Sequence, residues 1–166
     1  MSSYELRDST VVVTGGAGFI GSHLVRRLIT EGVRRIVIID SLRYGDRANL
    51  ANLSSSRAQV ELHPYTLGSD DPARLPGLMQ GADYLFHLAA EKHNQSKDDP
   101  TRVLRANIEG TQQLYEAAGQ AKLRRVVYTS SLYAYGRLHA PAFREDEVPA
   151  PRTVYGISKL AGEYFL

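Results

Sequence analysis

Tyr155 and Lys159 stand four residues apart in the stretch TVYGISKLAGEYFL. Residues at i and i+4 share one face of a helix. A lysine ammonium beside a phenol favours the phenolate, lowering a pKa that starts at about 10. A phenol tuned in that way acts as a general base on an alcohol or sugar hydroxyl. Ser131, in VVYTSS, closes a β-branched run and can hold the same hydroxyl by a hydrogen bond. A bare Tyr-x-x-x-Lys occurs often by chance, and a serine pair at a strand end is by itself turn chemistry. The assignment therefore depends on what else the chain brings to the same place.

The stretch TGGAGFIGSHL supplies a partner. Gly15, Gly18 and Gly21 recur every third residue, and Gly16, Gly18 and Gly21 also satisfy G-x-G-x-x-G. Such glycines make a tight strand-to-helix turn, admit a pyrophosphate close to the backbone and let helix and strand pack closely. The phosphates then meet the free N–H groups and positive end of the helix. A lone glycine pattern reads equally as a flexible turn. Here it follows an apolar strand and opens a helical pattern, and Asp40 lies about 20 residues further on, the spacing of an acid that binds a ribose 2′-hydroxyl. A carboxylate there repels a 2′-phosphate, so NAD is preferred over NADP; the neighbouring Arg43 works against that preference.

Elements that could position these groups alternate along the chain. TVVVT (10 to 14), RIVIID (35 to 40), QVELH (59 to 63), DYLFHLAA (83 to 90) and RRVVYTSS (124 to 131) read as strands. HLVRRLIT (23 to 30), TRVLRANIEGTQQLYEAAG (101 to 119, ended by Gly119) and the stretch from residue 153 read as helices. Residues 41 to 58 are polar and read as a loop with one helical turn near Ala48 to Leu53. Apolar strands separated by helices predict an α/β fold, a doubly wound parallel sheet covered on both faces. Ligands in such sheets lie beyond the carboxyl ends of the strands, where Ser131 and the glycine loop both fall.

Composition narrows the classes. The chain has 166 residues, 43% hydrophobic and 23% charged, with a formal charge of +2. That is an ordinary balance for one soluble domain and argues for neither nucleic acid nor an anionic membrane as partner. No apolar run approaches the length of a membrane span. There is no cysteine, which excludes disulfides and thiolate metal sites and fits a cytoplasmic location. The polar start MSSYELRDST is not expected to be a signal peptide. His23, His63, His87, His93 and His139 are scattered without ligand spacing, and His87, after an apolar strand, is expected in the core.

Six stretches, TGGAGFIGSHL, VIID, HLAA, RANIEGT, VVYTSSLYAYG and VYGISKLAGE, follow one another in the order and spacing of a known group. In them the chain resembles the extended short-chain dehydrogenases/reductases, in particular the NAD-dependent nucleotide-sugar epimerases and dehydratases. The resemblance implies a Rossmann NAD-binding domain over residues 1–166 and the absence of the family's C-terminal substrate domain. It implies Ser131, Tyr155 and Lys159 as the catalytic trio, with Tyr155 and Lys159 also on the cofactor. Gly15, Gly18, Phe19, Ile20, Gly21, Asp40, Ser41, Leu67, Leu88, Ala89, Ala90, Lys92 and Asn107 complete the implied cofactor site.

The resemblance further implies a UDP- or dTDP-linked sugar as substrate and a homodimer through helices 101–119 and 153–166. Two departures bear on the activity. Thr66 stands where many relatives carry an adenine-binding Asp, and Leu132-Tyr133 stand where sugar dehydratases carry an Asp-Glu pair for water loss. Glu91 offers a carboxylate nearby but reads more simply as a solvated loop charge. A 4-epimerase passing through a 4-keto sugar is the leading expectation. A 4,6-dehydratase or decarboxylase of the same family, and a catalytically incompetent NAD-binding module, are the alternatives.

Overall fold

A computed structural model describes residues 5–51, 53, 57–137 and 142–166. Five strands, β1 (Thr10–Thr14), β2 (Arg35–Asp40), β3 (Gln59–Pro64), β4 (Tyr84–His87) and β5 (Arg125–Tyr128), form one sheet in the order β3-β2-β1-β4-β5. Every pair is parallel, with Val12 opposite both Val37 and Leu85. The chain leaves β1 toward one edge and re-enters at β4 toward the other. The switch point therefore lies between β1 and β4, where open α/β sheets hold ligands.

Alternation along the strands builds two cores. Val12, Val37, Ile39 and Leu85 face one side, against Leu75, Met79, Leu114 and Ala117. Val11, Val13, Ile36, Ile38 and Tyr84 face the other, against Val25, Leu28 and Val33. The first helix, α1 (Phe19–Thr30), covers the second face. Leu114 and Ala117 belong to a helix that covers the first.

That helix is not the single α-helix expected over 101–119. It is α2 (Pro100–Leu104), a π-helical turn (Arg105–Glu109) and α3 (Gly110–Gln120). Two contacts account for the turn. Asn107 faces inward to polar partners, and Gly110 sits so close to Gly68 that a Cβ on it would lie 2.6 Å from the Gly68 nitrogen. Nor does Gly119 end the helix, which runs through Gln120; Lys122 takes the left-handed conformation beyond it, φ +55°. The last helix, α4 (Val154–Tyr164), is capped by Thr153, whose hydroxyl accepts the Gly156 N–H at 3.0 Å.

Smaller differences have local causes. The fourth and fifth strands are shorter than expected, because Leu88 to Ala90 leave the sheet to meet the glycine loop, and Thr129 to Ser131 leave it to reach α4. The turn in the 41–58 loop spans Arg47–Leu50; residues 52 and 54 to 56, like His139, lie outside the described residues. Among the described residues no helix is long and apolar enough to cross a membrane.

His87 locks the centre of the switch point. The Thr14 hydroxyl accepts the Ala89 N–H at 3.1 Å and shares the Leu88 N–H at 3.2 Å, so its own proton goes to His87 Nδ1 at 2.6 Å. His87 must then carry its proton on Nε2, which donates to Thr111 Oγ1 at 2.9 Å. Full burial, and after it the charge of Lys159, push the imidazole down to about 3. Above the ordinary imidazole pKa of about 6.5 the ring is neutral in both folded and unfolded chains. Below it, the unfolded chain takes up a proton that the folded chain refuses, and stability falls by up to ~1.4 kcal/mol per pH unit. Urea unfolding of the parent should show that loss between about pH 6.5 and 4, and His87→Asn should show less of it. Equal slopes in the two chains would contradict the assignment.

Candidate functional site

The glycine loop forms one wall of a cavity of about 370 Å³ at the switch point. Gly15 has φ +70°, and a Cβ on it would lie 2.9 Å from the Ala89 nitrogen, so this loop and the one after β4 touch backbone to backbone. α1 starts at Phe19 with Gly18 before it and no side-chain cap. Its first N–H groups are therefore offered to an anion in the cavity rather than to the protein. Phe19 and Ile20 are 80% and 65% exposed at that entrance.

Asp40 closes the opposite wall. Its buried carboxylate accepts the Ala17 N–H at 2.9 Å and the Leu42 N–H at 2.8 Å, tying the glycine loop to the end of β2. Gly15, Gly18, Phe19, Ile20, Gly21, Asp40, Ser41, Leu67, Leu88, Ala89, Ala90 and Lys92 all line the cavity. Tyr44, Tyr65, Thr66, Glu91 and Thr129 line it too.

Glu91 corrects an expectation. It is not a solvated loop charge but is 7% exposed. Its carboxylate accepts the Tyr44 hydroxyl at 2.8 Å and lies 3.8 Å from Arg43 Nε. Lys92 Nζ sits 4.4 Å above the Tyr44 ring. These contacts bridge the loops after β2 and β4 across the cavity, and they hold Arg43 on Tyr44 and Glu91. Nothing in the sequence pattern flagged Tyr44, because a tyrosine in a polar loop carries no periodic signal.

Asn107 does not line the cavity. Its side-chain oxygen accepts the Glu91 N–H at 2.7 Å, and its amide donates to Glu91 O at 3.0 Å and to Ser158 Oγ at 3.1 Å. Ser158 in turn donates to Tyr155 O at 2.8 Å. One buried amide thus connects the loop after β4 with the helix that carries Tyr155 and Lys159. The π-helical turn brings it there, as such turns frequently do at functional sites.

Two glycines seat α4. A Cβ on Gly156 would collide with the Tyr133 carbonyl, and one on Gly162 would lie 2.5 Å from the Tyr128 hydroxyl. The helix therefore meets the backbone of the turn after β5 at Gly156 and the Tyr128 ring at Gly162. Ser131 caps the turn Leu132–Ala134, accepting the Tyr133 N–H at 3.3 Å, which leaves its own proton free to donate. Ser130 donates to Glu163. The Tyr155 ring meets Tyr133 edge-on at 5.6 Å, and His93 stacks on Tyr133 at 4.3 Å.

Lys159 is 3% exposed, with its Nζ 4.1 Å above the Tyr128 ring. Burial pushes its ammonium down to about 8, against the opposing charge of Glu163. The same burial raises the Tyr128 phenol well above its usual range. Among the described residues no group of three or more His, Asp or Glu could hold a metal.

A parallel sheet in this order, with a glycine loop, an acid at the end of β2 and a Tyr/Lys helix beyond β5, defines a dinucleotide-binding α/β protein. The chain belongs to the NAD dependent epimerase/dehydratase family, whose model matches residues 11–166. It is 36% identical over 157 residues to a dTDP-glucose 4,6-dehydratase of Streptomyces griseus, covering 92% of this chain and 47% of that one. It is 38% identical over 159 residues to a UDP-glucose 4-epimerase of Mycolicibacterium smegmatis, covering 93% and 49%. A solved dTDP-glucose 4,6-dehydratase from Streptomyces venezuelae, with NAD bound, superposes with a TM-score of 0.86 at 31% identity, covering 94% of this chain and 50% of that one. The chain spans about half the length of the curated relatives it matches.

The cavity fits the family's cofactor. Its floor is a glycine loop packed so closely that an added Cβ at Gly15 or Gly21 would strike backbone, its pyrophosphate end is an uncapped helix start, and its far wall is an acid suited to a ribose. Gly15, Gly18, Phe19, Ile20 and Gly21 would hold the pyrophosphate, and Asp40 and Ser41 the adenosine ribose.

Proposed function

We propose that the protein is the NAD-binding part of a nucleotide-sugar 4-epimerase. The observation that carries this reading is the seating of α4, in which Gly156 meets the Tyr133 carbonyl and the Tyr155 ring meets Tyr133, in the turn that Ser131 caps. Tyr155 takes the proton of the sugar 4-hydroxyl. Ser131 donates its free proton to the same oxygen. Lys159, charged at neutral pH, stands one helical turn from Tyr155 and supplies a positive charge on the same helix. NAD, when bound, supplies the redox chemistry at C4 of the sugar. The product is the inverted 4-hydroxyl.

The dehydratases among the relatives support a second reading, a 4,6-dehydratase. Against it, Leu132 and Tyr133 place no carboxylate after Ser131, and Glu91 is already engaged by Tyr44 and Arg43. Incubation of the NAD-loaded chain with UDP- and dTDP-linked hexoses, followed by product analysis, separates them. An epimerase returns the 4-epimer, and a dehydratase returns a 4-keto-6-deoxy sugar. Bound NAD with no conversion would identify a cofactor-binding module only. Tyr155→Phe should lower any conversion at least about a hundredfold, the scale of a lost general base. Undiminished conversion would remove Tyr155 from that role.

A further inference from the structure

A second cavity, of about 260 Å³, opens between the turn after β5 and the start of α4. It is lined by Tyr133, Gly136, Arg137, Arg152 and Thr153. Tyr133 is the ring that meets Tyr155 edge-on, and Thr153 caps the helix that bears it. Gly136 creates the cavity's geometry. It has φ +86°, a Cβ on it would collide with the Ala150 carbonyl, and the Ala150 N–H donates to Tyr135 O at 3.2 Å. That backbone contact brings Arg137 and Arg152, distant in sequence, to one wall.

Neither arginine makes an ion pair or side-chain hydrogen bond among the described residues. Three carboxylates, Glu145, Asp146 and Glu147, lie in the segment between them; Asp146 is held by a bidentate pair with Arg144, at 2.9 and 3.1 Å, and Glu147 accepts the Arg144 N–H at 3.1 Å. Among the described residues no acidic side chain lines the cavity. Two like charges facing one space repel each other until an anion enters. Guanidinium forks match planar or tetrahedral oxyanions bidentately, and the positive start of α4 adds to the same field.

We propose that this cavity is an anion subsite for the substrate, in which Arg137 and Arg152 bind either a carboxylate on the sugar or the diphosphate that links it to its nucleoside. The proposal rests on the nucleotide-sugar reading above and adds the charge of the group held at the start of α4.

Calorimetric titration of the NAD-loaded chain with UDP-glucuronate, UDP-glucose and UDP tests it, in the parent and in the R137Q/R152Q double variant. NAD affinity and melting temperature serve as folding controls. At least a tenfold loss of affinity in the double variant is expected. A loss confined to UDP-glucuronate identifies the carboxylate as the bound group, and a loss shared by all three ligands identifies the diphosphate. Equal affinities in parent and variant for every ligand, or no binding of any of them to the parent, overturn the subsite. The two readings fail separately. Arginine-dependent binding without sugar conversion would retain the subsite and remove the epimerase, and conversion without arginine dependence would do the reverse.

Discussion

At neutral pH the Lys159→Met chain should melt several degrees above its parent and yet lose sugar conversion by at least about a hundredfold. The stability gain follows from the environment of the ammonium. Lys159 is buried, and its pKa falls from 10.5 to about 8. The unfolded chain holds that proton more tightly than the folded one, so the full cost, about 3 kcal/mol, is present below pH 8. It is relieved as pH rises from about 8 through the unfolded value. The Tyr128 ring and Glu163 offset part of the burial, and their loss subtracts from the gain. Methionine keeps the apolar stem and removes the charge, leaving a net gain of about 1 to 2 kcal/mol. The activity loss follows from the proposed role, because methionine removes the positive charge one helical turn from the proposed base. Thermal unfolding at pH 7 with a conversion assay reads both. A lower melting temperature would show that the ammonium stabilises the fold and would remove the argument.

Gly21→Ala is expected to cost several kcal/mol and to abolish measurable NAD binding. A Cβ at this position would collide with the Gly15 carbonyl and lie 2.7 Å from Gly16 Cα and 2.8 Å from the Gly15 carbonyl carbon. All three are backbone atoms, so no side chain can turn aside. The loop must open, and the helix start that offers N–H groups to the pyrophosphate moves with it. Gly119→Ala is the control. Nothing lies within 4 Å of its added Cβ, and it sits inside α3. There the same change should stabilise the chain by about 0.5 to 1 kcal/mol, through lost freedom of the unfolded backbone. Chemical denaturation and calorimetry with NAD check both. NAD binding retained in Gly21→Ala would mean that the loop does not hold the pyrophosphate.

Much of this architecture is written in residue types. The five strands and the doubly wound arrangement follow from apolar runs alternating with helical patterns, and the cavity lining follows from the glycine loop, Asp40 and HLAA. These are local signals, carried by neighbours in sequence. What escaped is long-range. The π-helical turn results from a polar side chain turned inward and two glycines crossing, and periodicity still reads as one helix there. Glu91 looks solvated until Tyr44, from another loop, is folded over it. The Lys159–Tyr128 contact and the pairing of Arg137 with Arg152 depend on how α4 and its preceding loop seat, which no spacing rule encodes.

The loop after β4 is tied down in an unusual way. Its Ala89 N–H ends on the Thr14 hydroxyl, and its Glu91 N–H and carbonyl end on the Asn107 amide. Both partners are side chains, one at the end of β1 and one in the π-helical turn. Beyond the Leu88 N–H, which bonds the Thr14 carbonyl, the loop is held mainly by side chains: Thr14, Asn107, and Tyr44 on Glu91. The cofactor cavity is thus walled on one side by a rail that side chains hold, whereas the sheet beside it is held by its own backbone ladder. Because the Asn107 amide also holds Ser158, and Ser158 holds the Tyr155 carbonyl, movement of the rail is felt at the helix that carries the proposed base.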